Sequence, residues 1–522
     1  MTDAATVLER APAPSDHRTI ALRFGLTSLF FLLVGFLLIL LIRWQLAWPG
    51  RPLPLIGGWF PASMAPGGII LPEFYNALGA MHGTVMIFLG VVPLGVGTFG
   101  NLLVPGMIGA PEMAFPRLTA ASWWTFFLAG IAGLAGFVVP GGPAASGWTS
   151  YPPLALLATL GQDLWLVCVL LLGISSMLGA INMIVTVVQL RRPGLGWREL
   201  PFFVWAQLIT ALLLLLAFPP LQSAAVLQLM DRLGGTSFFS PLGLIVSGVS
   251  RAGAGGGSPI LWQHLFWFLA HPEVYVLLLP ALGIVAHILV ESTGRPLYGE
   301  RSMVGALHFL GVMSMLVWAH HMFLTGMGPV MSAFFQATTL IISIPSVIIL
   351  TCLFLTLRGG FRGGTSTLFA LGFLPMFGIG GLTGLPLGLA VGDIHLHDTY
   401  YVIGHFHYIV APGVLIALFA GIYHWWPLIA GRPLDERLGR VHFWGTMIGM
   451  NGVFLPMFAM GLAGVSRRLW DGGAGYEHAA STIRFNVFMT HAAWLVAVAQ
   501  APFLWNVLAN LPRRGATRVG RT

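Results

Sequence analysis

Two apolar stretches hold residues that such stretches rarely tolerate. Trp262–Pro280, WQHLFWFLAHPEVYVLLLP, contains His264, His271, Glu273 and Tyr275. Asp393–Val410, DIHLHDTYYVIGHFHYIV, contains His405 and His407. Ionisable groups at membrane depth cost several kcal/mol and persist where they pair or perform chemistry. On a helix, residues four apart share a face, whereas residues two apart lie about 200° from each other. His271 and Tyr275 therefore point one way and Glu273 another, which suits a metal ligand with a phenol beside it and a separate proton carrier. His405 and His407 face opposite sides of their helix, so each binds its own metal instead of sharing one. Neutral imidazole suits copper and iron, and porphyrin iron takes axial His.

His320 and His321, in VWAHHMF, are adjacent and about 100° apart on a helix, so both reach one metal only if the site lies against their own segment. With His271 they make three imidazoles, a natural copper site with an open position. His82, in NALGAMHGTVMIF, carries little weight alone; it makes sense as the second axial partner of an iron held by His407. Core histidines bonded to nearby carbonyls would explain one such His better than they explain six.

The elements that must position these groups are membrane helices. The chain has 522 residues, 57% hydrophobic and 8% charged, with mean hydropathy +0.85. That composition defines an all-α polytopic membrane protein and excludes a soluble domain. Long apolar runs in place of short alternating strands exclude a β-barrel. At about 20 residues per span, twelve helices are expected, at 20–42, 76–104, 121–139, 155–188, 202–220, 260–290, 302–323, 329–357, 367–391, 402–428, 442–465 and 486–510. The expected organisation is a single membrane domain over 1–522, with tails at 1–19 and 511–522 flanking the bundle at 20–510. Pro/Gly-rich stretches such as Ala47–Gly58 and Pro140–Pro153 read as connections between helices. The first apolar run is too long for a signal-peptide core and reads as a membrane helix.

All 25 basic residues are Arg, so no mechanism can use an intramembrane lysine. The formal charge of +8 does not argue for nucleic acid, because the Arg residues sit in the connections and not on one patch. They concentrate in alternate connections and at the C-terminus, from Arg513 to Arg521, which places both termini on the cytoplasmic side of a bacterial inner membrane. In that orientation His82, His320, His321, His405 and His407 lie towards the outer ends of their helices, with His271 about midway. Cys168 and Cys352 stand alone in apolar runs, and without a Cys/His cluster there is no zinc knuckle, c-type haem site or dithiol centre. His17 and His442 read as solvated residues at membrane edges. His287 and His308 read as structural, and Asp163 is intramembrane without an evident partner.

In chain order, the segments GAPEMAFPR, GWTSYPPL, SSMLGAIN, WQHLFWF-HPEVY, WAHHMF and LHDTYYV-HFHY resemble subunit I of the haem–copper oxygen reductases, of the A-type cytochrome c oxidase kind, over nearly the whole chain. The resemblance implies a terminal oxidase that reduces O2 to water, takes up protons and pumps some outward. It implies two A-type haems, the low-spin one on His82 and His407 and the high-spin one on His405, with copper B on His271, His320 and His321. Tyr275 would be covalently linked to His271, and Glu273 would be the intramembrane proton donor. Asn101, Ser175 and Ser176 match the route leading to it, with Glu112 at its mouth where the family usually has Asp. His397 and Asp398 match magnesium ligands. Arg467 and Arg468 match the pair that holds haem propionates, Arg43 matches the arginine beside the low-spin haem's formyl group, and Trp148 lies in a matching outer motif. Implied partners are a subunit II with a dinuclear copper centre, a subunit III, the lipid membrane, and cytochrome c or quinol as donor.

The chain departs from the family in places. Thr119–Ala120 stand for an Asn-Asn pair, Gln45 for a Glu, and Ile349 and Ala286 for the lysine and serine of a second proton route, leaving Ser346 as its polar survivor. Two other readings are a nitric oxide reductase of the same superfamily, against which Tyr275 argues, and a multi-pass transporter without redox chemistry, which leaves six histidines unexplained.

Overall fold

The computed structural model describes residues 16–250 and 255–511; of the expected tails at 1–19 and 511–522, residues 1–15 and 512–522, including Arg513–Arg521, lie outside them. Among the described residues twelve helices are long and apolar enough to cross a membrane. They are α1 (His17–Ala47), α2 (Pro72–Ile108), α3 (Pro116–Ala135), α4 (Leu160–Gln189), α5 (Phe202–Leu233), α6 (Pro259–Thr293), α7 (Glu300–Thr325), α8 (Gly328–Thr356), α9 (Thr365–Gly384), α10 (Tyr400–Ala430), α11 (Glu436–Leu462) and α12 (Glu477–Ala509). The only strands among the described residues form a small antiparallel hairpin, Ile245–Val246 with Val249–Ser250.

The chain divides into two compact units. Of the described residues, the first holds 16–45, 50–280 and 307–339. In it α3 packs on α4 and α4 on α5, around fully buried Phe126, Trp165, Phe203 and Phe218. The second holds 46–49, 281–306 and 340–511. In it α9, α10, α11 and α12 pack in sequence around Phe369, Phe373 and Tyr408.

Some bounds differ by several residues from what the hydrophobic pattern predicts, as in α9, which stops at Gly384 and not at 391, and α12, which starts at Glu477 and not at 486; two helices differ in kind. α5 does not stop at 220; it runs through Pro219–Pro220 to Leu233. Its end is held by Arg232, whose Nε and Nη2 donate to Asp163 at 2.5 and 3.0 Å and whose Nη1 and Nη2 donate to the carbonyls of Ala155, Ala158 and Thr159. This is the partner that Asp163 lacked in the sequence. Both side chains are nearly out of solvent, and removing one member of such a pair strands the other charge. Arg232→Met should therefore cost about 3 kcal/mol and visibly lower the thermal midpoint of the detergent-solubilised protein. An unchanged midpoint would remove the pair from the account of how α5 ends.

In α2, Val85–Val91 and Pro93–Gly100 wind with wide, five-residue hydrogen-bonded turns. Pro93 has no N–H to continue the ordinary ladder. Carbonyls of this segment take side-chain donors instead: Gly95 O accepts from Gln207 Nε2 at 3.1 Å and Gly97 O from Asn101 Nδ2 at 2.7 Å. Backbone groups freed by a proline in a membrane helix are satisfied by such wide turns and by neighbouring side chains.

Candidate functional site

The sequence-predicted copper ligands come together. α6 brings in His271, and a tight turn of chain, Trp318–Thr325, presents His320 and His321 side by side. His271 Nδ1 lies 3.2 Å from His321 Nε2, and His320 Nε2 lies 3.1 Å from the same atom. Three imidazole nitrogens this close cannot all present N–H groups to one another. Facing lone pairs repel in turn, and a cation resolves the conflict. Separations slightly above 3 Å are what ligands about 2 Å from one ion would show. His320 Nδ1 is held by Thr339 Oγ1 at 2.9 Å, and the ring of Trp267 stacks on His321 with centroids 3.8 Å apart. Trp267 in turn donates to the Tyr151 hydroxyl. The GWTSYPPL connection thus braces the ligands from behind, the kind of outer support that fixes ring orientation at metal sites. His271 Nε2 is buried and has no hydrogen-bond partner among the described residues, and the Tyr275 ring is 5.3 Å from the His271 ring. The donor set fits copper.

The three other histidines share one device. His82 Nδ1 lies 2.8 Å from Gly35 O, His405 Nδ1 lies 3.0 Å from Gly380 O, and His407 Nδ1 lies 2.9 Å from Ile403 O. A carbonyl at Nδ1 fixes the tautomer and turns the lone pair of Nε2 outward, as axial ligation of porphyrin iron requires. The opposite faces expected for His405 and His407 are realised: His405 turns to α9, and the His407 ring stacks on Phe454 of α11 at 4.5 Å. Two glycines make room. A Cβ at Gly384 would meet His405 Cε1 at 2.7 Å, and one at Gly83, next to His82, would meet Trp148 Cβ at 3.0 Å.

Glu273 is 2% exposed, and neither of its carboxyl oxygens has a hydrogen-bond partner among the described residues. Buried polar atoms are nearly always bonded, so an orphaned carboxyl marks a functional exception. The residues matched to its proton route lie within the same unit, in a ladder of separate polar pairs. At one end, Glu112 accepts from the His17 N–H at 3.0 Å and lies 2.7 Å from His17 Nδ1. Burial opposes ionisation of Glu112, but the bonds from His17 and from the Met113 N–H win and hold its carboxyl below the usual range. Next come Thr119 and Asn182, with Asn182 Nδ2 donating to Thr119 Oγ1 at 2.6 Å. Ser122 and Ser175 follow, each hydroxyl donating to the other's carbonyl at 2.9 and 2.7 Å, with Ser176 half-buried beside them. Asn101 is buried and donates to Gly97.

Sequence reasoning missed Ser122 and Asn182 as members of this ladder. The loss of the Asn-Asn pair drew attention to Thr119–Ala120, but the partner supplied from α4 is visible only in the fold. It also misplaced two histidines. His17 is not solvated; it is 7% exposed against Glu112. His442 is fully buried, between the Tyr423 hydroxyl at 3.2 Å and Gln500 Oε1 at 3.2 Å. The departures from the second proton route stand out in the structure, since Ile349 and Ala286 are both buried and apolar.

On the remaining predicted residues, Arg43 is 3% exposed in α1. The backbone N–H of Arg467 donates to Asp398 O at 2.9 Å, and its guanidinium pairs with the Asp398 carboxylate. Burial opposes that charge, but Arg467 overrides it and holds Asp398 below the usual carboxylate range. His397 Nδ1 lies 3.1 Å from Asp393 Oδ2, and despite burial that carboxylate raises the imidazole above its ordinary value. Arg468 follows with a left-handed backbone, φ 66°.

Residues 19–495 match the family described as cytochrome c and quinol oxidase polypeptide I. A cytochrome c oxidase subunit 1 from Thermostichus vulcanus is 41% identical over 495 residues, 94% of this chain and 83% of that protein. An alternative cytochrome c oxidase subunit 1 from Bradyrhizobium diazoefficiens is 40% identical over 502 residues, 95% of this chain and 82% of that one. In fold the chain is similar to a chain of a heme–copper terminal oxidase dimer solved by cryo-EM, with TM-score 0.76 at 18% identity, covering 97% of this chain and 85% of that one. A helical membrane protein of this family with a three-imidazole cluster and carbonyl-oriented histidines is, as a class, a haem–copper oxidase subunit. The chain belongs to the cytochrome c and quinol oxidase polypeptide I family. It is an oxidoreductase, the catalytic subunit of a terminal oxidase that works in a membrane with other subunits, and its family membership implies haems and copper B. The transporter and nitric oxide reductase readings fall with that finding.

Proposed function

We propose that the chain reduces dioxygen to water with His271, His320 and His321 holding copper B, His405 the high-spin haem, and His82 with His407 the low-spin haem. The observation that carries this reading is the three-imidazole cluster, built on buried His271, with nitrogens 3.1–3.2 Å apart. When bound, the haems and copper supply electron transfer and the chemistry of oxygen. The protein's own residues position and deliver. Trp267 and Thr339 fix two of the copper imidazoles. His271 offers Nδ1 towards the cluster, which leaves Nε2 as the nitrogen for a link to Tyr275, and the phenol is then a local source of a proton and an electron. Glu273, without a protein partner, passes protons on from the ladder that Glu112 opens. Some of those protons are pumped outward.

Arg467, Arg468, Arg43 and Trp148 are assigned to the haems, which family likeness makes A-type. His397 and Asp398 offer a magnesium ion one imidazole and one carboxylate; Mg2+ prefers about six ligands, mostly oxygen, so the rest would come from water or another subunit. Cys168 and Cys352 are each buried in a helix and unpaired, so electrons enter through a second subunit with a dinuclear copper centre, or from quinol. A subunit III completes the assembly, cytochrome c is the favoured donor, and both termini face the cytoplasm of a bacterial inner membrane. The chain acts as one membrane domain.

His405→Ala tests the assignment of the two faces of α10. The variant should lose the high-spin haem signal and keep the low-spin one. Loss of the low-spin signal instead would reverse the assignment.

A further inference from the structure

A second cluster of metal-ligating side chains has no part in the reaction described above. His287 and Glu291 are four residues apart on α6, so they share a face, and His424 of α10 meets them there. His287 Nε2 lies 3.0 Å from Glu291 Oε1, and His424 Nε2 lies 3.3 Å from Glu291 Oε2. The three donor atoms all lie within 4.8 Å of one another. Neither histidine belongs to the copper or haem sets.

From these contacts we infer that His287, Glu291 and His424 form a separate site for a divalent transition-metal ion of the Zn2+ type. Two imidazoles and a carboxylate are a donor set that Zn2+ takes readily, with a fourth position left to water. Ligands on a tetrahedral ion with bonds of about 2.0–2.2 Å stand roughly 3.3–3.6 Å apart, so the two observed separations need only small adjustments. The side chains have room for them: Glu291 is 56% exposed, His287 30% and His424 17%. Both rings also lean on Trp425, at 5.3 and 4.8 Å, which limits their orientations before any ion arrives.

The cluster lies in the last turns of α6. Successive spans alternate in direction, so the end of α6 is on the membrane side where α1 begins, in reach of water and ions. An ion held there clamps α6 to α10. The copper cluster is all imidazole; this site has an exposed carboxylate, which favours exchangeable Zn2+ over a permanently held cofactor.

The test uses the detergent-solubilised complex with its haems in place, stripped of loose metal by a chelator and dialysed against Zn2+. Wild type should bind one Zn2+ that Glu291→Gln and His424→Gln each weaken at least tenfold, while haem spectra stay unchanged. Zn2+ should raise the thermal midpoint of wild type more than that of either variant. Zinc-edge absorption should report imidazole and oxygen neighbours. Equal zinc number and affinity in wild type and both variants would overturn the site. So would loss of the bound zinc in His17→Ala with none in Glu291→Gln, which would place the ion with Asp16, His17 and Glu112 instead.

Discussion

Glu273→Gln should lower steady-state oxygen reduction by about 100- to 10,000-fold, the range for removing a positioned proton-transfer group, and leave both haem spectra in place. Gln keeps the shape and polarity of the side chain and removes the exchangeable proton. Its effect should be confined to proton delivery, because among the described residues no group bonds to either Glu273 oxygen and none is left stranded by the change. A folding defect would instead disturb the haem signals. Near-normal turnover in this variant would mean that protons reach the oxygen-reducing site by another path.

Glu112→Ala should slow both halves of the catalytic cycle. The second proton route of the family depends on a lysine, and here Ile349 and Ala286 are fully buried and apolar. A water needs roughly two to four polar partners to be held in place, and those side chains offer none. On the proposed assignment, all protons pass along the polar residues from Glu112 through Thr119, Asn182, Ser122 and Ser175. Removing its first carboxylate should slow anaerobic reduction of the high-spin haem as well as the later oxidative steps seen after flash photolysis in the presence of O2. In an enzyme with two routes, the same change spares the reductive phase. A normal reductive phase beside a slowed oxidative one would defeat the single-route account and point to a second entrance.

How much of this was legible in the sequence depended on whether the signal was local. Hydropathy located all twelve spans because a bilayer demands long apolar runs, and the catalytic histidines stood out because such runs seldom carry them. His271, His320 and His321 were therefore legible as a set before any fold was known. Contacts between distant segments were not. Arg232 closes on Asp163 across 69 residues. Asn182 meets Thr119 across 63, and His17 meets Glu112 across 95. His17 and His442 looked solvated because they stand near helix ends, yet Glu112 of the α2–α3 connection covers His17, and Tyr423 and Gln500 flank His442. Pro219–Pro220 looked like the end of α5, but two missing N–H donors do not end a helix whose last turn is fixed by an ion pair. Glu291 and His424 gave no signal at all until α6 and α10 were seen side by side.

The account rests on copper held by three imidazoles, and the direct measurement is metal content per haem. Copper and haem should be quantified in the purified complex and in His320→Ala, by elemental analysis and pyridine haemochrome spectra. Comparing the two removes any copper carried by another subunit. The account predicts that His320→Ala loses one copper for every two haems, keeps both haems, and reduces no oxygen. Unchanged copper in that variant, or a complex that never held copper at this site, would contradict it.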